Sequence, residues 1–335
     1  MGSGENDMGD ACRPESFEHF VGQEKPKKIL KILWQSARRK GGVVPHVLLS
    51  GGPGLGKTTL ARIVAAEMGS RLVEVVASNL QSPDEMAKHL MRLKPKDVLF
   101  IDEIHGLPRG VEEVLYGALE DGRIPVVQRG YDEMLKGLGL GGRRQQTIAA
   151  ASLPPFTCIG ATTLSGLISD PLRSRFVQVL QLEPYSDAEL ALIVMGAASK
   201  SDFGIDGSMA LEVARRSRAT ARTAISNVRW LAEYCEGTGA EPTLETLDEA
   251  FALKEITPQG LTKVDLAYLT SLAEAEEPMG LSTLAAATGE SEETLALAVE
   301  PFLIRKGLVR KTGRGRMATA KAAELMAAKE GGREG

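Results

Sequence analysis

Apolar residues recur along this chain in two rhythms, and the change between them divides it. In the first half, short apolar-rich stretches at Val47–Leu49, Leu72–Val76, Asp97–Glu103 and Phe156–Thr163 are too short for helices. They read as strands, the last two of them buried on both faces of a parallel sheet. Between them, Pro26–Arg39, Leu60–Glu67, Pro83–Leu93 and Val111–Asp121 have helical spacing. Ile29, Leu30, Ile32, Leu33 and Ala37 predict one buried stripe, and Val111, Val114, Leu115, Ala118 and Leu119 another. Ile124–Pro155 reads as a hairpin with a long tip in which Leu135, Leu138 and Leu140 alternate with glycines. That tip is either a mobile loop or, with its leucines exposed, a protein-docking site.

Past Glu183-Pro184 the pattern turns wholly helical, at Asp187–Ser199, Ser208–Arg216, Ala219–Tyr234 and Thr243–Leu253. Thr257–Gly260 marks a second boundary. Helices then follow at Lys263–Ala275, Ser282–Thr288 and Ser291–Lys306, and two short strands surround a glycine turn in Leu308–Thr319. Three helices and a hairpin make a winged helix-turn-helix unit. Ala320–Gly335 is expected to fray. The expected organisation is a disordered tail at 1–12, an α/β domain at 13–183, a helical domain at 184–257 and a winged helix at 258–335.

Composition narrows the setting. With 43% hydrophobic and 25% charged residues the chain suits a soluble globular protein. It has no apolar run near the ~20 residues a membrane span needs and no signal-type N-terminus. Three scattered cysteines suggest a reducing cytoplasm. At a net charge of −4, any nucleic-acid contact must be local. The stretch 301–319 supplies one: Arg305, Lys306, Arg310, Lys311, Arg314 and Arg316 occur there with no acid among them. Such a hairpin would follow phosphates and leave bases largely unread, or else be a solvated basic turn.

The stretch Gly51–Thr59, Gly-Gly-Pro-Gly-Leu-Gly-Lys-Thr-Thr, carries the strongest chemical signal. It lies between a strand and a helix, as a phosphate-binding loop requires. Gly51, Gly54 and Gly56 let the backbone wrap a polyphosphate, Lys57 would reach the β- and γ-phosphates, and Thr58 would ligate Mg²⁺. A nucleoside triphosphate is therefore the expected ligand. Asp102 and Glu103 end a buried strand, where open α/β sheets bind ligands. Asp102 would hold Mg²⁺ through its water shell and Glu103 would orient the attacking water. Arg173 and Arg175 are either surface ion-pair partners or a finger entering a neighbour's γ-phosphate.

Taken together, Val21–Glu24, the phosphate loop, Asp97–His105, Glu112–Tyr116, Gly160–Thr163, Pro171–Phe176, Glu300–Leu303 and Arg314–Thr319 resemble the RuvB family of hexameric AAA+ motors, which drive branch migration of Holliday junctions. The resemblance implies an α/β AAA+ P-loop domain, a helical lid and a C-terminal winged helix. It implies an ATPase using ATP and Mg²⁺, acting as a homo-hexamer on double-stranded DNA, with a RuvA-like junction-binding partner docked through the 124–155 hairpin. By position, Cys12 and Arg13 look like residues closing over the nucleotide. Gly51, Gly52, Gly54, Gly56, Lys57, Thr58 and Thr59 look like the phosphate cradle, with Glu120, Asp121 and Gly122 also among the nucleotide-contacting positions. Asp102 and Glu103 match the magnesium and water-activating acids, Thr163 the sensor, and Arg175 the finger, with Arg173 as rival. Tyr185 and Arg222 fall where the lid contacts the nucleotide, and Lys311, Arg314 and Arg316 on or between the DNA-contacting wing positions.

The chain departs from the family's pattern at Leu164, usually arginine, and in Ala219-Thr220-Ala221-Arg222, usually Gly-Thr-Pro-Arg. The 124–155 hairpin also looks longer and differently composed. The rival readings are a clamp-loader-like ATPase that switches on DNA without translocating, and a DNA-binding adaptor that nucleotide merely stabilises.

Overall fold

The computed structural model describes residues 13–127 and 148–331. Cys12 and the expected hairpin tip, with Leu135, Leu138 and Leu140, lie outside them. Contacts divide the chain into two units, meeting in sequence between Glu183 and Pro184.

In the unit Arg13–Glu183, α1 (Glu24–Lys40) leads to β1 (Val47–Ser50), α2 (Lys57–Glu67), β2 (Leu72–Val76), α3 (Pro83–Met91), β3 (Val98–Asp102) and α4 (Arg109–Glu120). Then come β4 (Arg123–Val127), β5 (Ile148–Ser152), β6 (Thr157–Thr162), the short α5 (Asp170–Arg173) and β7 (Gln178–Gln181). Five of these strands form a parallel sheet in the order β2-β3-β6-β1-β7. The strands β1, β6 and most of β3 are buried outright, as expected of strands covered on both faces. Leu48, Leu99, Ile101, Ile104, Val111 and Leu115 lie in one core beneath α3 and α4. Antiparallel β4 and β5 pair from Arg123↔Ser152 to Val127↔Ile148, forming the arms of the expected hairpin.

In two places the sequence pattern misled. Strand β7 gives almost no hydrophobic signal, because at the sheet edge Val177 and Val179 face out and only Leu180 is buried. On α1, Leu30 and Ala37 are buried, but Ile32 is 54% exposed and does not belong to the stripe.

The unit from Pro184 onward contains α6 (Asp187–Lys200), α7 (Gly207–Arg215), α8 (Ala221–Thr238) and α9 (Leu244–Leu253), then α10 (Lys263–Glu274) and α11 (Leu281–Thr288). Helix α12 runs from Glu292 to Arg305 but widens into a π-turn at Leu295–Val299. Pro301 accounts for the widening: it has no N–H for the Leu297 carbonyl, and its ring would clash there in a regular helix. Strands β8 (Val309–Thr312) and β9 (Gly315–Ala318) form the wing, and Met279 exchanges two backbone hydrogen bonds with Arg316 alongside it. The C-terminal segment expected to fray is instead a helix, α13 (Ala320–Gly331). Thr319 caps its first turn, and Ala322 is fully buried against the core of Tyr268, Leu269, Phe302 and Leu303. Small alanines allow that close approach but give little amphipathic contrast to read.

Candidate nucleotide site and basic wing

Strand order assembles the first site. Strand β6 lies between β3 and β1, with Ser50 opposite Thr162 and Ile101 opposite Gly160. Three neighbouring strands therefore deliver the glycine loop, Thr163 and the Asp102-Glu103 pair to one edge of the sheet. Open α/β sheets bind ligands at this carboxyl edge.

The loop is held by its own lysine and by close backbone approach. Gly51 has φ +152°, and a Cβ there would lie 2.7 Å from the Leu182 carbonyl oxygen. Gly56, at φ +98°, turns the chain into α2. Both conformations favour glycine. Lys57, buried at the start of α2, donates to the Gly51 and Gly52 carbonyls at 2.7 and 2.9 Å. Thr58 and Thr59 follow in the first helical turn, half-buried, with Gly54 in the loop at φ +74°.

Facing them, Glu103 has a left-handed backbone (φ 47°, ψ 47°) that costs energy for a residue with a side chain. Its N–H donates to Asp102 Oδ1 at 3.1 Å. Its carboxylate accepts from the Thr163 N–H at 3.0 Å and the Thr163 hydroxyl at 2.9 Å. His105 Nδ1 lies 3.2 Å from the same oxygen and 3.0 Å from the Thr162 hydroxyl. The structure thus brings Asp102, Glu103 and Thr163 together and adds His105 and Thr162, to which sequence reasoning gave no role. The one signal for His105 was its position just past the acid pair.

The arginine turn is pinned separately. Ser169 caps α5 and donates to Glu112 at 3.0 Å, and the Tyr116 hydroxyl donates to the same carboxylate oxygen at 2.6 Å. This ties α5 to α4. Arg175 pairs with Glu120 at 2.5 Å, and its Nε is buried with no hydrogen-bond partner. Arg173 instead donates to the Ser165 carbonyl at 2.7 Å. Glu120 therefore lies with the arginine, while Asp121 is exposed and Gly122 turns the chain at φ +60°. Gln23, from the first family-like stretch, clasps the backbone of Glu183 with both ends of its amide, at 2.6 and 3.0 Å.

Comparison with known proteins decides the family. Residues 12–182 match the profile described as the Holliday junction DNA helicase RuvB P-loop domain, and residues 258–327 match the RuvB C-terminal winged helix domain. The chain belongs to the RuvB family. It is 39% identical over 326 residues to the Holliday junction branch migration complex subunit RuvB of a Nitratiruptor species, covering 97% of this chain and 94% of that protein. The Streptomyces griseus RuvB is 43% identical over 313 residues, covering 92% and 83%. The solved Thermotoga maritima RuvB, a Holliday junction branch migration motor, is 36% identical with a TM-score of 0.82, covering 95% and 98%. The fold is thus the RuvB combination of P-loop AAA+ domain, helical lid and C-terminal winged helix, and as a RuvB P-loop protein the chain binds nucleotide.

The family's lid motif is altered here in residue type, but the backbone keeps its shape. Ala219 has φ +56°, a left-handed position that glycine would occupy without strain. Thr220 caps α8 in an extended conformation, and Ala221 is the first helical residue, a place suited to proline. Arg222 is exposed in that first turn. Tyr185 is buried, and its N–H donates to the Ala219 carbonyl at 3.0 Å. Arg13 is half-buried at the start of the other unit.

On the RuvB wing the cations are not equivalent. Glu300, fully buried on α12, accepts from Arg316 Nε at 2.6 Å and from the Tyr268 hydroxyl at 2.8 Å, and it pairs with Lys311. Burial alone would raise the Glu300 pKa; the bonds from Arg316, Lys311 and Tyr268 outweigh it and hold the carboxyl below its ordinary range. Burial, then the bond to Glu300, pushes the Tyr268 hydroxyl well up. Arg316 is 20% exposed and Lys311 49%, while Arg310 and Arg314 are exposed. Arg316 therefore has a partner within its own domain, sixteen residues back in sequence.

Proposed function

We propose that this chain is an ATPase that drives branch migration of Holliday junctions, working as a homo-hexameric ring on double-stranded DNA in the cytoplasm. The observation carrying this reading is the arrangement at the carboxyl edge of the sheet, where loop, acid pair and sensor threonine meet in a chain that also bears a basic winged helix. The three expected domains, 13–183, 184–257 and 258–335, serve in turn as ATPase, lid and DNA-binding module.

Lys57 and the loop N–H groups bind the phosphates, and Glu103 positions the attacking water. A hard oxygen-seeking cation fits the Thr58 hydroxyl and Asp102 carboxylate. Thr58 and Asp102 would hold Mg²⁺ there, and the ion would supply charge neutralisation at the phosphates. Thr163, which already holds Glu103, links the acid to the γ-phosphate. Arg175 exchanges Glu120 for the γ-phosphate of an adjoining subunit, and Tyr185 and Arg222 sense the nucleotide from the lid. On the wing, Arg314 and Lys311 contact DNA phosphates, and Arg316 chiefly keeps the hairpin in place. A RuvA-like protein docks through the 124–155 hairpin.

The test is migration of synthetic junctions with ATP and a RuvA-type partner. No ATP-dependent migration, with ATP hydrolysis intact, overturns the reading. Mixing inactive Arg175→Ala and Glu103→Gln subunits should restore turnover; failure to do so removes the finger assignment.

A further inference from the structure

Within the unit Pro184–Gly335 one arginine reaches from the lid into two helices of the winged helix. Arg218, between α7 and α8, has φ +54°. Its guanidinium forms a forked pair with Asp265 of α10, through Nη1 to Oδ2 and through Nη2 to Oδ1 at 3.2 Å. Asp265 is fully buried and also accepts from the Thr262 N–H and hydroxyl, both at 2.8 Å, capping α10. Arg218 Nη2 donates to the Ala298 carbonyl at 2.7 Å, inside the π-turn of α12. The guanidinium lies 4.3 Å from the Phe302 ring centroid. Arg305, from the end of α12, returns a hydrogen bond to the Arg218 carbonyl at 2.9 Å.

The lid side of this joint is short. Ala219, the next residue, accepts from Tyr185, and Thr220 caps the helix that begins Ala221-Arg222. Tyr185 and Arg222 are the lid residues assigned above to nucleotide sensing. A planar guanidinium held at both edges and one face has little freedom, and lysine cannot reproduce its fork or its stacking.

We infer that Arg218 is a positioning residue that transmits nucleotide-dependent movement of the lid to the winged helix. The inference rests on the motor reading above but adds a joint which that reading does not specify.

The experiment compares Arg218→Ala and Arg218→Lys with the full unaltered chain. Junction migration and ATP hydrolysis are measured in the same reactions, with a RuvA-type partner. Both variants should hydrolyse ATP within about 2-fold of the unaltered chain, while migration per ATP falls about 10-fold for alanine and less for lysine. Spin labels at Glu236→Cys and Ser282→Cys, both exposed, report the joint directly. The background is Cys12→Ser, with Cys158 and Cys235 buried. The distance distribution should be narrow in the parent and broad in the variants. If alanine impairs folding, the lysine variant carries both readouts. Unchanged migration per ATP, or an unchanged distance distribution, overturns the inference. If the unaltered chain itself fails to migrate junctions, the motor reading fails, and the spin-label distances still decide whether Arg218 fixes the joint.

Discussion

The glycine loop and the Ser217–Ala219 turn both need backbone at positive φ, and they reach it by opposite means. The loop uses Gly51, Gly54 and Gly56, for which these conformations carry little steric cost. The turn uses Arg218 and Ala219, each at a cost of roughly 1 kcal/mol in the left-handed region. Its compensation comes from Asp265, the Ala298 carbonyl, Phe302, Arg305 and Tyr185, which lie far away in sequence. The first geometry is written locally. The second exists only when a packed unit holds it.

The largest expected effect tests the local geometry. Lys57→Ala should cut ATP turnover by about 10³-fold or more; hydrolysis at the parent rate breaks the assignment of the loop. Next, Glu300→Ala strands Arg316 and Tyr268 and should cost the winged helix about 3 kcal/mol, less than a fully buried pair because Lys311 is half exposed. Arg314→Ala should leave stability alone and reduce the salt slope of DNA binding by about 1. If both variants lose DNA affinity and neither loses stability, Arg316 is not a structural cation. A smaller effect tests the turn. Ala219→Gly combined with Ala221→Pro should raise stability by about 1 kcal/mol by relieving φ and fixing the helix start. A loss would mean that Ala219 is not strained.

The smallest effect is a pH dependence. His46 Nδ1 accepts from the Cys158 N–H at 2.9 Å. Burial lowers its pKa below 6.5, offset only in part by a bond with the Leu119 backbone. The unfolded chain then binds the proton more tightly. Stabilisation is complete above the ordinary histidine pKa and is lost as pH falls through the lowered folded value. Unfolding free energy should therefore decline as pH falls below the ordinary histidine range, with His46→Gln flattening the slope.

The same contrast explains what the sequence made legible. The α/β core with its lid and winged helix was readable, because buried strands and amphipathic helices repeat at fixed periods. Leu48, Leu99 and Val111 are buried as their spacing predicts. Edge strand β7 was not readable, because exposure on its outer side erases the alternation. Helix α13 was hidden by alanines whose burial depends on a groove built from other helices. At the nucleotide site, motif residues identified the loop and the acids. The hold of Thr163 on Glu103, the position of His105, and the pairs Arg316–Glu300 and Arg218–Asp265 are tertiary facts, joining residues that no local spacing relates.

Pro301 shows how far such a fact reaches. By forbidding regular pitch in α12, an imino acid opens the turn that carries the Ala298 carbonyl, and the lid's arginine uses that carbonyl. A residue that restored even winding would seal that acceptor within its own helix. The junction between the two domains would slacken while the cationic hairpin kept its charge. Affinity for the double helix and mechanical output could thus be separated by a change that touches neither nucleotide nor nucleic acid.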